Sequence, residues 1–236
     1  MGTRLVQQRR GRGCSKTYLV PSFNYLCDAK YPPMQRGTVK GVIADILDDP
    51  GRTAPVCLVK TKNHEEYYII ASEGVKTGEE VTIGEGAKIK IGNVLFLKDI
   101  PEGTPIFNIE VVPGDGGKLV RSSGGYAILL SKSKDKVTIQ LPSRKTKDLH
   151  PLCRATIGIV AGGERPKKPF VKAGNKWHAT HARGKRYPIT RAKAKNACDH
   201  KFGGRSFGVH KTVSRNAPPG RKVGSIAARR TGRRKR

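Results

Sequence analysis

Aromatic and acidic residues are scarce. Among 236 residues there are one Trp, six Phe and 18 Asp+Glu, against 47 Lys+Arg. With so few large apolar side chains the interior must be small or divided, in one or two domains. Long hydrophobic runs are missing too. The longest, 41–47 and 67–71, fall far short of the ~20 apolar residues of a membrane-spanning helix. No amphipathic helix with a broad apolar face could lie on a bilayer. Residues 1–12 are basic but lack the apolar stretch and cleavage site of a signal peptide, so the chain is expected to stay in the cytoplasm. The cysteines, Cys14, Cys27, Cys57, Cys153 and Cys198, are odd in number and far apart. That excludes a regular disulfide framework and suggests free thiols in a reducing compartment.

Positive charge is what the chain has in excess. A formal charge of +29 repels itself and weakens the compact state unless a polyanion neutralises it. With membrane binding disfavoured, nucleic acid is the expected partner.

The charge is unevenly spread. Residues 1–36 carry net +6, 37–112 net −4, 113–163 net +6 and 164–236 net +21. The acidic block reads as short β-branched and aromatic strands at 38–47, 56–59, 67–70, 81–83, 94–97 and 106–112. They are separated by Gly/Pro/Asp clusters, the rhythm of a small Greek-key barrel. Pro113-Gly-Asp-Gly-Gly117 is a dense breaker and marks a boundary. Runs at 126–130, 136–141 and 155–160 then predict a second, shorter β-barrel over 113–163, with an outer limit near 190. Its basic linker, with Arg144, Lys145 and Lys147, can present cations to phosphates. Beyond Gly163 there are few aliphatic clusters, many Gly and Pro, and 23 cations. Such a stretch cannot bury enough apolar area to offset its ordering entropy. It is predicted to be disordered in isolation and fixed by its partner, as are residues 1–36.

Trp177, His178, His181, Tyr187, Phe202, Phe207 and His210 are scattered among these cations. Flat side chains can stack on bases while cations hold the backbone, whereas a merely solvated tail has little use for aromatics. Lys185, Arg186, Arg191, Lys193 and Lys195 form a charge run, ordinarily a solvated face but in this setting a phosphate contact. His178-x-x-His181 and Cys198-x-His200 could supply four metal ligands, but the spacings match no common finger, so no metal is expected. Gly220-Arg-Lys-Val-Gly-Ser225 lacks the Walker order and a preceding apolar strand, so Arg221 and Lys222 are read as RNA contacts.

These residues resemble the large-subunit ribosomal protein two family in its archaeal and eukaryotic form. Most specific is Ser214-Arg-Asn-Ala-Pro-Pro-Gly-Arg-Lys-Val-Gly-Ser-Ile-Ala227, followed by Arg230-Thr-Gly-Arg233. Lys172-Ala-Gly-Asn-Lys-Trp177, Ala182-Arg-Gly184, Asp199-His200, Phe202-Gly-Gly204, Gln8-Arg-Arg-Gly-Arg-Gly13 and Val112-Pro-Gly-Asp-Gly-Gly117 are similar as well. The resemblance spans essentially the whole chain. It implies a mainly β fold: an oligonucleotide-binding-type barrel, then an SH3-like barrel, with extended basic termini that enter ribosomal RNA. It implies primary binding to large-subunit rRNA, a bridge to the small subunit, and neighbouring ribosomal proteins. It further implies support of subunit association, tRNA binding and peptide-bond formation. RNA contacts are then expected from Arg9, Arg10 and Arg12, from Lys172, Lys176, Arg183 and Arg205, and from Arg215, Asn216, Arg229, Arg230 and Arg233. The family's peptidyl-transferase-linked Asp-His-Pro falls on Asp199 and His200, with Lys201 in place of the Pro.

An RNA-processing enzyme using Asp199 and His200 as an acid–base pair would need more convergent carboxylates than Glu164 and Asp199, the only acids in the last 73 residues. A free-standing nucleic-acid chaperone or translation factor would be folded throughout without RNA. A structural, non-enzymatic ribosomal role is the expected one, with no cofactor, no membrane contact and no homo-oligomer.

Overall fold

The computed structural model describes residue 14 and residues 18–34, 37–205, 211–218 and 221–229. The chain forms two compact units, Ser22–Val171 and, drawn from both ends of the chain, Met1–Pro21 with Lys172–Arg236.

The first unit is mainly β. Its strands are β1 (Thr38–Leu47), β2 (Val56–Thr61), β3 (Glu66–Ile70), β4 (Glu80–Gly84), β5 (Val94–Phe96), β6 (Pro105–Phe107), β7 (Ala127–Lys132), β8 (Val137–Gln140), β9 (Thr146–Leu149) and β10 (Arg154–Ile157). They lie in one ladder in the order β3-β2-β1-β4-β5-β10-β6-β7-β8-β9. The long β1 pairs antiparallel with β4 over Thr38–Val42 and with β2 from Gly41 onward. The two pairings overlap at Gly41–Val42, where a Cβ on Gly41 would meet Val59 Cγ1 at 2.5 Å, and a bulge follows between Ile43 and Asp45 within the β2 pairing. Bulge and glycine together let one strand bend and serve both halves of an oligonucleotide-binding-type barrel. The run β10-β6-β7-β8-β9 is a meander whose last strand returns beside its first, the SH3-like order.

The interior is divided, as the shortage of aromatics requires. Ile43, Val59, Ile69, Val81, Ile83 and Val94 form one cluster. Leu95, Leu97, Ile106, Leu129, Ile139 and Ala155 form another. A third, smaller one holds Ala29, Val56, Ile70, Phe107 and Val160. Adjacent residues of β5 therefore enter different cores, Val94 the first and Leu95 the second, because successive strand side chains point to opposite faces. Residues 94–112 were read with the first barrel, yet β5 and β6 send Leu95 and Ile106 into the second core.

Three further departures from the sequence reading have local causes. The apolar run 106–112 is a strand only to Phe107, since Asn108 turns to φ +48 and the Glu110 side chain is fully buried. Thr146 and Lys147, the end of the basic linker 144–147, belong with Asp148 and Leu149 to β9, whose Thr146, Lys147 and Asp148 carry no apolar alternation to betray it. Residues 22–34, placed with the N-terminal extension, include Ala29 and Tyr31, both buried in the first unit.

One ion pair ties these segments together. Glu110 is fully buried and Arg154 is 3% exposed. Arg154 donates from Nε (3.1 Å) and Nη2 (2.7 Å) to Glu110 Oε1, and from its backbone N–H to Oε2 (2.8 Å). The N–H groups of Gly114 and Gly116 complete the carboxylate's shell at 3.3 and 3.1 Å. Arg154 Nη1 donates to Pro32 O at 2.8 Å, and the guanidinium lies 5.3 Å from the Tyr31 ring centroid. Tyr31 Oη donates to Asn108 O at 2.7 Å and is 2.6 Å from Thr156 Oγ1. Its burial, partly offset by the Thr156 hydrogen bond, raises the phenol far above its ordinary range.

Replacing Glu110 by Gln strands a desolvated guanidinium, which costs about 3–5 kcal/mol. The unfolding midpoint in urea should fall accordingly. Adding Arg154→Met to Glu110→Gln should restore part of the loss, and a double variant no better than the single would refute the ion pair as its cause.

Candidate nucleic-acid interface

The candidate residues fall into two groups. In the first unit, Arg144 and Lys145 are exposed in the β8–β9 turn. That turn closes through Arg144 N–H to Leu141 O (2.8 Å) and Leu141 N–H to Lys145 O (2.9 Å). Lys147 is half-buried in β9, paired with Ile139. Elsewhere on this unit several cations have acidic partners: Lys60 with Glu66 at 2.9 Å, Lys90 with Glu79 at 2.6 Å, Lys98 with Glu85 at 3.1 Å and Lys136 with Asp148 at 3.1 Å.

The second unit differs. Residues 172–236 hold 20 Lys+Arg and a single acid, Asp199. Its helix α1 (Ala173–Ala182) was not anticipated from sequence and buries no residue. With no apolar stripe it carries none of the periodicity that signals a helix, and only alanine content favours one. Its C-terminal end is the better signal. The N–H of Gly184 bonds His181 O (3.1 Å) and that of Lys185 bonds Thr180 O (2.9 Å), a Schellman stop with Gly184 at φ +60. A Cβ on Gly184 would also lie 2.6 Å from the Leu19 carbonyl carbon.

On α1, Trp177 is 43% exposed and stacks on His181 with centroids 4.8 Å apart and planes at 14°. His178 meets the indole edge-on at 4.9 Å. Lys176 Nζ lies 5.1 Å from the Tyr187 ring centroid. Lys172, Lys176, His178, Lys185 and Arg186 are exposed, and Arg183 is half-buried. A flat aromatic face thus sits among outward cations, a surface suited to bases and phosphates.

The loop 195–204 is folded on itself. Asn196 O accepts from the N–H groups of Asp199 (2.9 Å) and His200 (3.2 Å), and Gly204 N–H bonds Lys195 O (3.1 Å). A Cβ on Gly203 would collide with Asn196 O. His200 is half-buried, its Nδ1 accepting the N–H of Phe202 at 3.0 Å. Nδ1 is thereby engaged as an acceptor by the loop's own backbone. Asp199 and Lys201 are exposed. The Phe202 ring packs where Gly224 lacks a side chain, with 2.8 Å from its Cζ to a Cβ placed there.

The chain next forms β11 (Thr212–Val213) and β12 (Ser225–Ile226), a short parallel pair. Val213 is buried. Between them Ser214 caps a turn, its Oγ accepting the Asn216 N–H at 3.2 Å. Arg215, Asn216, Arg221, Lys222, Arg229 and, upstream, Arg205 are exposed. The candidates Arg9, Arg10, Arg12, Arg230 and Arg233, with Phe207 and His210, lie outside the described residues. Among the described residues no group of three or more His, Cys, Asp or Glu is placed to hold a metal ion.

Residues 33–83 match the family described as Ribosomal Proteins L2, RNA binding N-terminal domain, and residues 90–223 match Ribosomal Proteins L2, C-terminal domain. The chain belongs to the ribosomal protein L2 family. It is similar to proteins named large ribosomal subunit protein uL2 from three archaea. The Methanothermobacter thermautotrophicus protein is 54% identical over 242 residues, covering 100% of both chains. That of Methanocaldococcus jannaschii is 53% identical over 243 residues, again 100% of both. That of Archaeoglobus fulgidus is 52% identical over 235 residues, 98% of this chain and 99% of the relative. The L2 C-terminal match begins at 90, close to where β5 turns Leu95 into the second core. It runs on through α1 and the His200 loop.

Gly184→Val would meet both a left-handed backbone and the Leu19 main chain. It should lower the helical circular-dichroism signal of the second unit while Gly174→Ala, in open space within α1, preserves or raises it.

Proposed function

We propose that this protein is a structural constituent of the large ribosomal subunit, working in the cytoplasm as a primary rRNA-binding protein. It supports subunit association, tRNA binding and peptide-bond formation without being an enzyme. The observation that carries this reading is the family membership, joined to a C-terminal part, residues 172–236, with 20 cations, one acid and a helix that buries nothing. An isolated ten-residue helix is marginal in water, so such a unit gains its stability from a polyanion. In this reading the barrels of Ser22–Val171 are the scaffold, and the flanks Met1–Pro21 and Lys172–Arg236 enter the RNA. The same surfaces reach neighbouring ribosomal proteins and the small subunit.

Affinity for a large-subunit rRNA transcript should fall steeply with salt, by about 10³-fold or more between 50 and 200 mM, because each neutralised phosphate releases counterion. A chain ending at Val171 should show a much shallower slope of log K against log salt. An unchanged slope would place the electrostatic footprint on the barrels.

His200 serves this function by ordering the loop that holds it, since its Nδ1 is engaged by the Phe202 backbone. His200→Asn keeps an acceptor at the Nδ1 position and cannot titrate near neutrality. Large subunits carrying it should make peptide bonds at near wild-type rate with an unaltered pH profile. Full assembly with lost activity and a changed pH profile would instead make His200 an acid–base group.

A further inference from the structure

We infer that the outer face of the second barrel holds a subsite for one unstacked nucleobase of the rRNA, an inference that rests on the RNA-binding role proposed above. A groove of ≈ 270 Å³ opens there, lined by Gly125, Tyr126, Ile128, Gln140, Pro142 and Arg144 among others. Register explains its make-up. Ile128 pairs with Gln140, while Ala127, Leu129 and Ile139 point into the core. The opposite face of the same ladder would ordinarily be polar. Here it offers the Tyr126 ring, 44% exposed, next to Ile128 and Pro142.

Both walls are fixed. On one side the 122–125 turn is pinned by reciprocal bonds, Gly124 N–H to Val160 O (2.9 Å) and Val160 N–H to Gly125 O (3.1 Å). A Cβ on Gly124 would lie 2.7 Å from Gly163 Cα. The other wall is the β8–β9 turn, closed by the two backbone bonds of Leu141. In that turn Arg144 occupies a left-handed position, φ +64, which in this kind of hairpin belongs to Gly or Asn. A non-Gly residue held there is strained, and such strain gathers at ligand clamps. The hairpin's ion pair, Lys136 with Asp148, sits at the other end of the ladder and leaves Arg144 and Lys145 exposed at the groove's mouth.

A ring face, a side-chain amide and a cation meet on a rigid groove. Together they supply the elements that hold a splayed base: stacking, an edge-reading donor and acceptor, and a phosphate contact. An acidic peptide would use the cations but has no need of a flat ring beside an amide. A phosphate alone would need neither.

The test measures binding of the full chain to a large-subunit rRNA transcript at several salt concentrations, alongside thermal unfolding of the RNA-free protein. Tyr126→Ala should weaken binding roughly ten-fold. Its salt slope should be unchanged, since no cation is lost, and Tyr126→Phe should bind like wild type. Arg144→Gly should raise the unfolding temperature of the free protein, yet weaken binding and make the slope shallower by about one. The subsite is refuted if Tyr126→Ala binds as tightly as wild type. It is equally refuted if Tyr126→Phe is as weak as Tyr126→Ala, which would make the hydroxyl the contact. Unaltered RNA affinity together with failure of a neighbouring protein to join the subunit would assign the groove to a protein. Failure of the underlying RNA-binding role would look different: wild type itself would show weak, salt-insensitive binding.

Discussion

The first unit is organised around the buried pair of Glu110 and Arg154. Two charges removed from water are costly unless every lone pair and proton finds a partner, and here the carboxylate accepts from Arg154 and from two backbone N–H groups of the 113–117 loop. The arrangement is geometrically demanding. It needs β10 to deliver Arg154, the segment after β6 to deliver Glu110, a glycine-rich loop to wrap the carboxylate, and Pro32 O to accept the hydrogen bond from Nη1. A purely apolar seam would tolerate sliding. This one admits a single register, and so sets the place where the first barrel's N-terminal segment meets the second barrel's sheet.

Charge is handled in opposite ways by the two units. On the barrels several acidic residues pair with nearby lysines, which moderates the local positive field. The second unit has almost no acid to do this. Its folding problem is electrostatic rather than entropic alone: drawing the 20 cations of residues 172–236 together raises the energy of the compact state, a cost that a polyanion would relieve.

What the sequence conveyed was whatever depends on local pattern. β1 through β4 and the apolar cores of β7 and β8 follow β-branched runs bounded by turn residues, so they were legible. The 146–149 edge strand was not, because Thr146 and Asp148 are exposed, the half-buried Lys147 is charged, and only Leu149 reaches the core. Pro113-Gly-Asp-Gly-Gly117 looks like a linker, and nothing in it announces that two of its amides fold over a carboxylate four and six residues upstream. In the candidate interface, cation density was visible at once. The helix at 173–182 was hidden because its contacts are exposed rings rather than a buried stripe, and the groove at Tyr126 because a half-buried strand face is invisible until its partner's register is known.

The meeting of Gly184 with the main chain at Leu19 has a bearing on biogenesis. The two residues lie near opposite ends of the chain, yet they belong to one unit. During synthesis from the N-terminus the barrels are complete well before residue 184 leaves the ribosome that makes it. The leading basic segment must therefore wait, uncovered, through most of translation for the partner that closes over it. A newly made chain is in that interval a strongly cationic peptide with a finished domain behind it, open to capture by any nearby nucleic acid.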